Sequence, residues 1–179
     1  MTTELCIDEI PWINSHLGIG NYLDYEQMKP ILCFSLIWNL FETEACKRNA
    51  TPKSIRKSVD RANESCGLSK NRYEKFVNYF RERFYLADGK KFDDFFDSLL
   101  LTDEDAQKVV QQALAANADN LNNTIYALLL IAHRIRNNLF HGNKDVSSLP
   151  QQTELFTTIN ALLTTYLEDI QNLPRRYRV

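Results

Sequence analysis

The chain has 179 residues, 44% of them apolar, which excludes a disordered segment and suits one domain with a sizeable core. A formal net charge of -2 excludes a uniformly basic nucleic-acid binder. Charge is unevenly placed: between Lys47 and Arg83 eleven Lys or Arg stand against four acids (Asp60, Glu64, Glu74, Glu82), so +7 there leaves -9 elsewhere, which predicts a basic face on an acidic body.

An irregular segment is expected from Met1 to about Leu23, with His16, Gly18 and Gly20 in it. The spacing then predicts a helix over Tyr25–Arg48, where Ile31, Phe34, Ile37, Trp38 and Phe41 recur at i, i+3, i+6, i+7, i+10. Pro30 stands near its start, where a missing N–H costs least. Thr51-Pro52 reads as an N-cap with proline at the first helical position, opening a short helix to about Ser65. Cys66-Gly67-Leu68-Ser69 is a turn, and Ser69 caps a further helix to about Leu86. After a break at Ala87–Lys90, Phe92–Leu101 is a short apolar helix. Thr102-Asp103-Glu104-Asp105 resembles a capping box, with acids at the positive end of the helix dipole, for a helix to about Ala116. A helix over about Leu121–His141 is stopped by Gly142, and a last one covers about Pro150–Leu173, ended by Pro174 and a basic tail, Arg175-Arg176-Tyr177-Arg178. The fold expected is all-α and a single domain over 1–179. Two long helices early and two late suggest a four-helix-bundle core, roughly 25–48 and 121–173, carrying a helical insertion over 52–118.

Cys6, Cys33, Cys46 and Cys66 form no CxxC pair and do not cluster with the three histidines at ligand spacing, so neither a zinc site nor disulfides are expected. The start Met1–Glu4 lacks the blocks of a signal peptide. The apolar run Ile125–Ala132 is far short of the roughly 20 residues that span a bilayer. A reduced, cytoplasmic protein without membrane association is expected.

The chemistry concentrates at Arg136-Asn137-Asn138-Leu139-Phe140-His141-Gly142. Arginine clamps phosphate in a fixed fork, and histidine moves protons because its free pKa is about 6.5. On a helical wheel Leu128, Ile131, Ile135 and Leu139 share a core face, with His133, Asn137 and His141 on the other side. Arg134 falls within about 20° of His141, and Arg136 about 140° from it. Arg136 meets His141 only if Gly142 unwinds the last turn, or if a symmetric dimer brings two helix ends together. The bland alternative is a helix C-terminus, where histidine answers the dipole and glycine ends the helix.

The same segment resembles the signature of the HEPN superfamily, R-x4-6-H, often with Asn directly after the Arg and His-Gly at the end. The aromatic-rich stretch Phe34–Glu42 is similar to the opening helix of these domains. The resemblance covers roughly 25–48 and 121–173 and not obviously 52–118. It implies a dimeric four-helix domain, often a metal-independent endoribonuclease acting as a toxin or antiviral defence effector, with inactive scaffold relatives. It assigns Arg136 and His141 to the catalytic pair, Asn137 to the polar residue beside the arginine, and Glu42 to an acid that orients the arginine. Arg134 and Lys144 are added as candidate substrate contacts. The implied reaction is attack of a ribose 2′-hydroxyl on the adjacent phosphate, with no metal and no cofactor. RNA is the implied substrate, and a second copy and an antitoxin or other regulatory protein are the implied partners. A non-cutting dimerisation or partner-binding module is the alternative.

Other signals are weaker. Ser54–Phe84 could be a helix-turn-helix, but Ala62 and Gly67 are one residue too far apart for that motif. Arg72, Tyr73, Lys75, Tyr79 and Arg83 form a basic aromatic face suited to RNA, unless Phe76, Phe80 and Phe84 mark the helix as core with a solvated outer side. His16 and His133 have no partner legible in the sequence; His133 could touch the site through Asn137, with a structural role as the alternative. Asp93, Asp94 and Asp97 could hold a metal, yet they interleave with Phe92, Phe95 and Phe96 as a wet helix face would.

Overall fold

A computed structural model describes residues 8–17, 24–84, 99, 101, 103–115, 120–140, 149 and 151–171, the Cys66 side chain excepted. These residues are all-helical: α1 (Glu9–Leu17), α2 (Tyr25–Cys46), α3 (Pro52–Cys66), α4 (Lys70–Phe84), α5 (Glu104–Leu114), α6 (Leu121–Phe140) and α7 (Thr153–Gln171). None of the described helices is long and apolar enough to cross a membrane.

The first helix corrects the expectation of an irregular start. Glu9 occupies its first turn, Pro11 follows without breaking it, and Ile10 and Ile13 pack against the core. Trp12 and His16 stack at i, i+4 with ring centroids 5.0 Å apart. Its single short run of apolar residues between a proline and two glycines gave too little periodicity to read.

α2 runs through Pro30, which lies more than a turn inside it. The Pro30 carbonyl accepts from Asn160 Nδ2 of α7 at 2.7 Å, and the Gln27 carbonyl from the Thr153 hydroxyl. Its inner side buries Met28, Ile31, Phe34, Trp38, Phe41 and Ala45. Its outer side is also apolar, with Leu32, Leu36 and Leu40 exposed, Leu36 by 71%. The helix ends with Lys47 and Arg48 both in the left-handed region, at φ 56° and 66°, where L-residues are disfavoured. Both N–H groups turn back to the Glu42 carbonyl. Arg61 of α3 donates to the Ala45 carbonyl at 3.2 Å, so the free carbonyls of the last turn find partners.

The cap on α3 is as expected. Thr51 and Ser54 form a reciprocal box, Ser54 N–H to Thr51 Oγ1 at 3.1 Å and Thr51 N–H to Ser54 Oγ at 2.8 Å, with Pro52 at the first position. Gly67 ends the helix at φ 64°, a conformation that favours glycine. For α5 the cap is Asp103, whose carboxylate accepts the Asp105 N–H; Thr102 lies outside the described residues. The expected helix over Phe92–Leu101, with Asp93, Asp94 and Asp97, and the tail Arg175–Arg178 also lie outside them.

α2 and α7 make the most extensive helix–helix contact, and Phe34 meets Phe156 edge-on across it at 5.3 Å. α6 packs chiefly on α5 and α3 and also touches α4 and α7. From Thr124 to Ala132 every residue of α6 is buried, so this half is enclosed on all sides and the one-faced wheel applies only beyond it. The segment 52–118, expected as an elaboration, contributes Ile55, Val59, Tyr73, Phe76, Phe80 and Val110 to the same core.

α4 turns its aromatic stripe inward. Tyr73, Phe76, Val77, Phe80 and Phe84 are buried. Tyr73 is not a stacking platform: its hydroxyl donates to Asp169 Oδ2 of α7 at 2.6 Å. Arg72 holds the other oxygen of Asp169 and Glu168, each at 2.7 Å. Burial, with the Asp169 hydrogen bond, pushes the Tyr73 phenol far above its usual range and keeps it a donor. Two residues of the expected basic aromatic face are therefore committed to α7.

Candidate active site

The C-terminal half of α6 sends His133, Arg136, Asn137 and Phe140 to one side, at i, i+3, i+4, i+7. That side meets Trp38, which the inner stripe of α2 holds 97% buried against Phe41, with ring centroids 5.1 Å apart and the indole 3% exposed. The imidazole of His133 lies 6.0 Å from the indole, tilted 36°. Arg136 Cζ lies 6.0 Å from the Trp38 ring and 5.3 Å from the Phe140 ring. Arg136 Nη1 donates to Asn137 Oδ1 at 3.2 Å. The motif arginine is thus half-buried beside two aromatic rings, with its neighbouring asparagine on one arm of the fork.

Glu42 sits elsewhere than expected. Its carboxylate accepts the Ala50 N–H at 3.3 Å, and among the described residues it makes no ion pair with Arg136. Trp38, Phe140 and Asn137 orient the arginine instead, and Glu42 reaches the site only through its charge on His133. Arg134, expected as a substrate contact, donates Nε–H to the Leu99 carbonyl at 2.9 Å and so ties α6 to the chain ahead of α5. His141 and Lys144 lie outside the described residues.

The sequence placed His133 on the motif side of α6 with Asn137 but assigned it no role. Its signal was the three-residue step to Arg136, which puts both on one helix face. Burial lowers its pKa, the Arg134 and Arg136 cations add to that, and a hydrogen bond with the Ala50 backbone and the Glu42 carboxylate act the other way. The folded ring therefore resists a proton that the unfolded chain accepts near pH 6.5. Stability present above that pH should fall as the pH drops below about 6.5, by at most about 1.4 kcal/mol per unit from this residue. Thermal unfolding between about pH 7 and 5 should show this share of the slope in the wild type and its loss in His133→Gln. An identical slope in the variant would assign the acid sensitivity to other groups.

A separate groove of about 620 Å³ is lined by Lys47, Thr51, Lys57, Asp60, Arg61 and Glu64 among others. Asp60 accepts from Asn122 of α6 and Arg61 caps α2, which leaves Lys47 and Lys57 as its cations toward solvent.

No family model, curated protein or solved structure matches this chain.

Proposed function

We propose that the protein is a metal-independent endoribonuclease of HEPN type, working as a cytoplasmic homodimer in a toxin or antiviral defence setting. The observation that carries this is the seating of Arg136: two aromatic rings and Asn137 fix its fork at the end of α6. A merely solvated arginine has no need of such a mould. In this assignment α2, α6 and α7 are part of a four-helix core.

The reaction is attack of a ribose 2′-hydroxyl on the adjacent phosphate. Arg136 stabilises the charge that gathers on the phosphate oxygens, and His141 moves a proton at the reacting centre. The products are a 2′,3′-cyclic phosphate and a 5′-hydroxyl. DNA lacks the nucleophile and is not a substrate. Lys47 and Lys57, which line the groove, suit the phosphate backbone of a bound strand, as does Lys144. Apposed motif ends from two copies bring two His141 side chains to one strand, and an antitoxin or other regulatory protein restrains the activity.

A non-cutting partner-binding module is the second reading, favoured by the exposed Leu32, Leu36 and Leu40 on α2. End-labelled single-stranded RNA in EDTA separates the two. The wild type should cut and leave cyclic phosphate ends, and His141→Ala should be slower by about 10²-fold or more. Folded wild type that leaves RNA intact would favour the binding module.

A further inference from the structure

Phe140 stands apart from the other phenylalanines. Every other phenylalanine among the described residues is at most 2% exposed, while Phe140 is 53% exposed. Single apolar residues on a surface are ordinary. What distinguishes this one is its neighbour. Arg136 precedes it by four residues on α6, and the Arg136 Cζ lies 5.3 Å from the Phe140 ring centroid. Residues four apart on a helix share a face. The backbone of α6 therefore fixes the pair, and no loop has to close to bring them together.

Two rings lie near the guanidinium, and they differ in access. Trp38, 6.0 Å away, is 3% exposed and has no open face to offer. Phe140 keeps about half of its surface open. Arg136 gives Nη1 to Asn137 and makes no other hydrogen bond among the described residues, which leaves its Nη2 arm for a phosphate oxygen. A nucleotide carries both groups that this pair can take. Its phosphate is an anion for the fork, and its base has a flat π-face for a ring. One sugar joins the two, so an arginine and a ring on one helix face can hold both. In a duplex the base faces are covered by their neighbours in the stack, and only an unstacked base can lie on a side chain.

We propose that Phe140 is the base-stacking platform of this site, taking an unpaired base next to the phosphate held by Arg136, and that the substrate is therefore single-stranded RNA. This rests on the ribonuclease assignment above and adds the group that selects the strand. A phenylalanine ring has two torsions to freeze and no hydrogen-bonding atom, so it accepts any base at little cost in order. Purines, with the larger ring, are held more tightly than pyrimidines. Selection is by strandedness first and by ring size second.

The test uses the full chain and a 2′-O-methyl oligonucleotide, which has no 2′-hydroxyl to attack phosphorus and is bound without being cut. Its bases are removed one at a time. Phe140→Leu keeps an apolar side chain and the helix while removing the π-face, and its thermal unfolding should match the wild type because the ring is half exposed. It should weaken binding of the intact strand about 5- to 150-fold, the worth of one base–aromatic stack. Removing the stacked base should weaken the wild type by a similar factor, and Phe140→Leu should then add little at that position alone. Phe140→Tyr, which keeps a ring, should bind as the wild type does. A complementary strand that pairs every base should erase the difference between wild type and Phe140→Leu. Equal affinity of these two for the single strand, or losses that multiply at every position, would overturn the platform. Cleavage of ordinary RNA is scored separately. A wild type that cuts, with Phe140→Leu binding at full affinity, overturns the platform and keeps the ribonuclease. A wild type that never cuts but binds with the Phe140 dependence keeps the platform and overturns the ribonuclease.

Discussion

Arg136→Lys should lower the single-turnover rate of RNA cleavage by about 10²- to 10³-fold, the loss seen when one donor to a developing charge is removed. Lysine keeps the positive charge, so any effect that depends on charge alone survives the change. It lacks the planar fork that lies 5.3 Å from the Phe140 ring and gives one arm to Asn137. The loss should appear at saturating RNA, because the fork matters most when charge develops on the phosphate. Thermal unfolding of the variant should stay close to that of the wild type, since Arg136 forms no ion pair among the described residues. A variant that cuts at the wild-type rate would remove Arg136 from the chemistry.

The largest effect on stability should come from Asp169→Ala. Asp169 is 9% exposed, takes Arg72 on one oxygen and the Tyr73 hydroxyl on the other, and pins α4 to α7. Removing it leaves a buried phenol without its acceptor and a part-exposed Arg72 with Glu168 alone, which costs about 2–3 kcal/mol. For a chain of this size that lowers the midpoint of thermal unfolding on the order of 10 °C. Tyr73→Phe, which removes the donor and keeps the ring, should cost less, about 1–2 kcal/mol. Equal midpoints for wild type and Asp169→Ala would show that α4 is held by its aromatic side chains alone.

Both residues illustrate what the sequence can and cannot convey. The helices were legible where punctuation and period agreed: Thr51-Pro52 before α3, Gly67 after it, and the Phe76, Phe80 and Phe84 stripe on α4. α1 was lost because it is short, and the enclosure of α6 because a helix buried all round has no period. Arg136 and Asn137 stood out as a motif. Their setting did not, because Trp38 is remote in sequence and only the tertiary fold brings its ring beside His133 and Arg136. Glu42 and Arg134 were chosen by analogy and by wheel, and both found nearer backbone groups to bond, the Ala50 N–H and the Leu99 carbonyl. Local pattern shows which side of a helix a residue occupies, and the partner on that side is a tertiary fact.

The stretch Thr124–Ala132 has one more consequence. A helix with an outward face can accept a new residue there and keep its fold, so a lineage explores such faces freely. Beyond its first turn α6 offers no such face until His133, where burial becomes partial again. Mutational drift is thus closed on one half of the helix and opens on the half that carries Arg136 and Asn137. A change of specificity at Arg136 or Asn137 would therefore sit within two turns of a stretch in which every residue is enclosed.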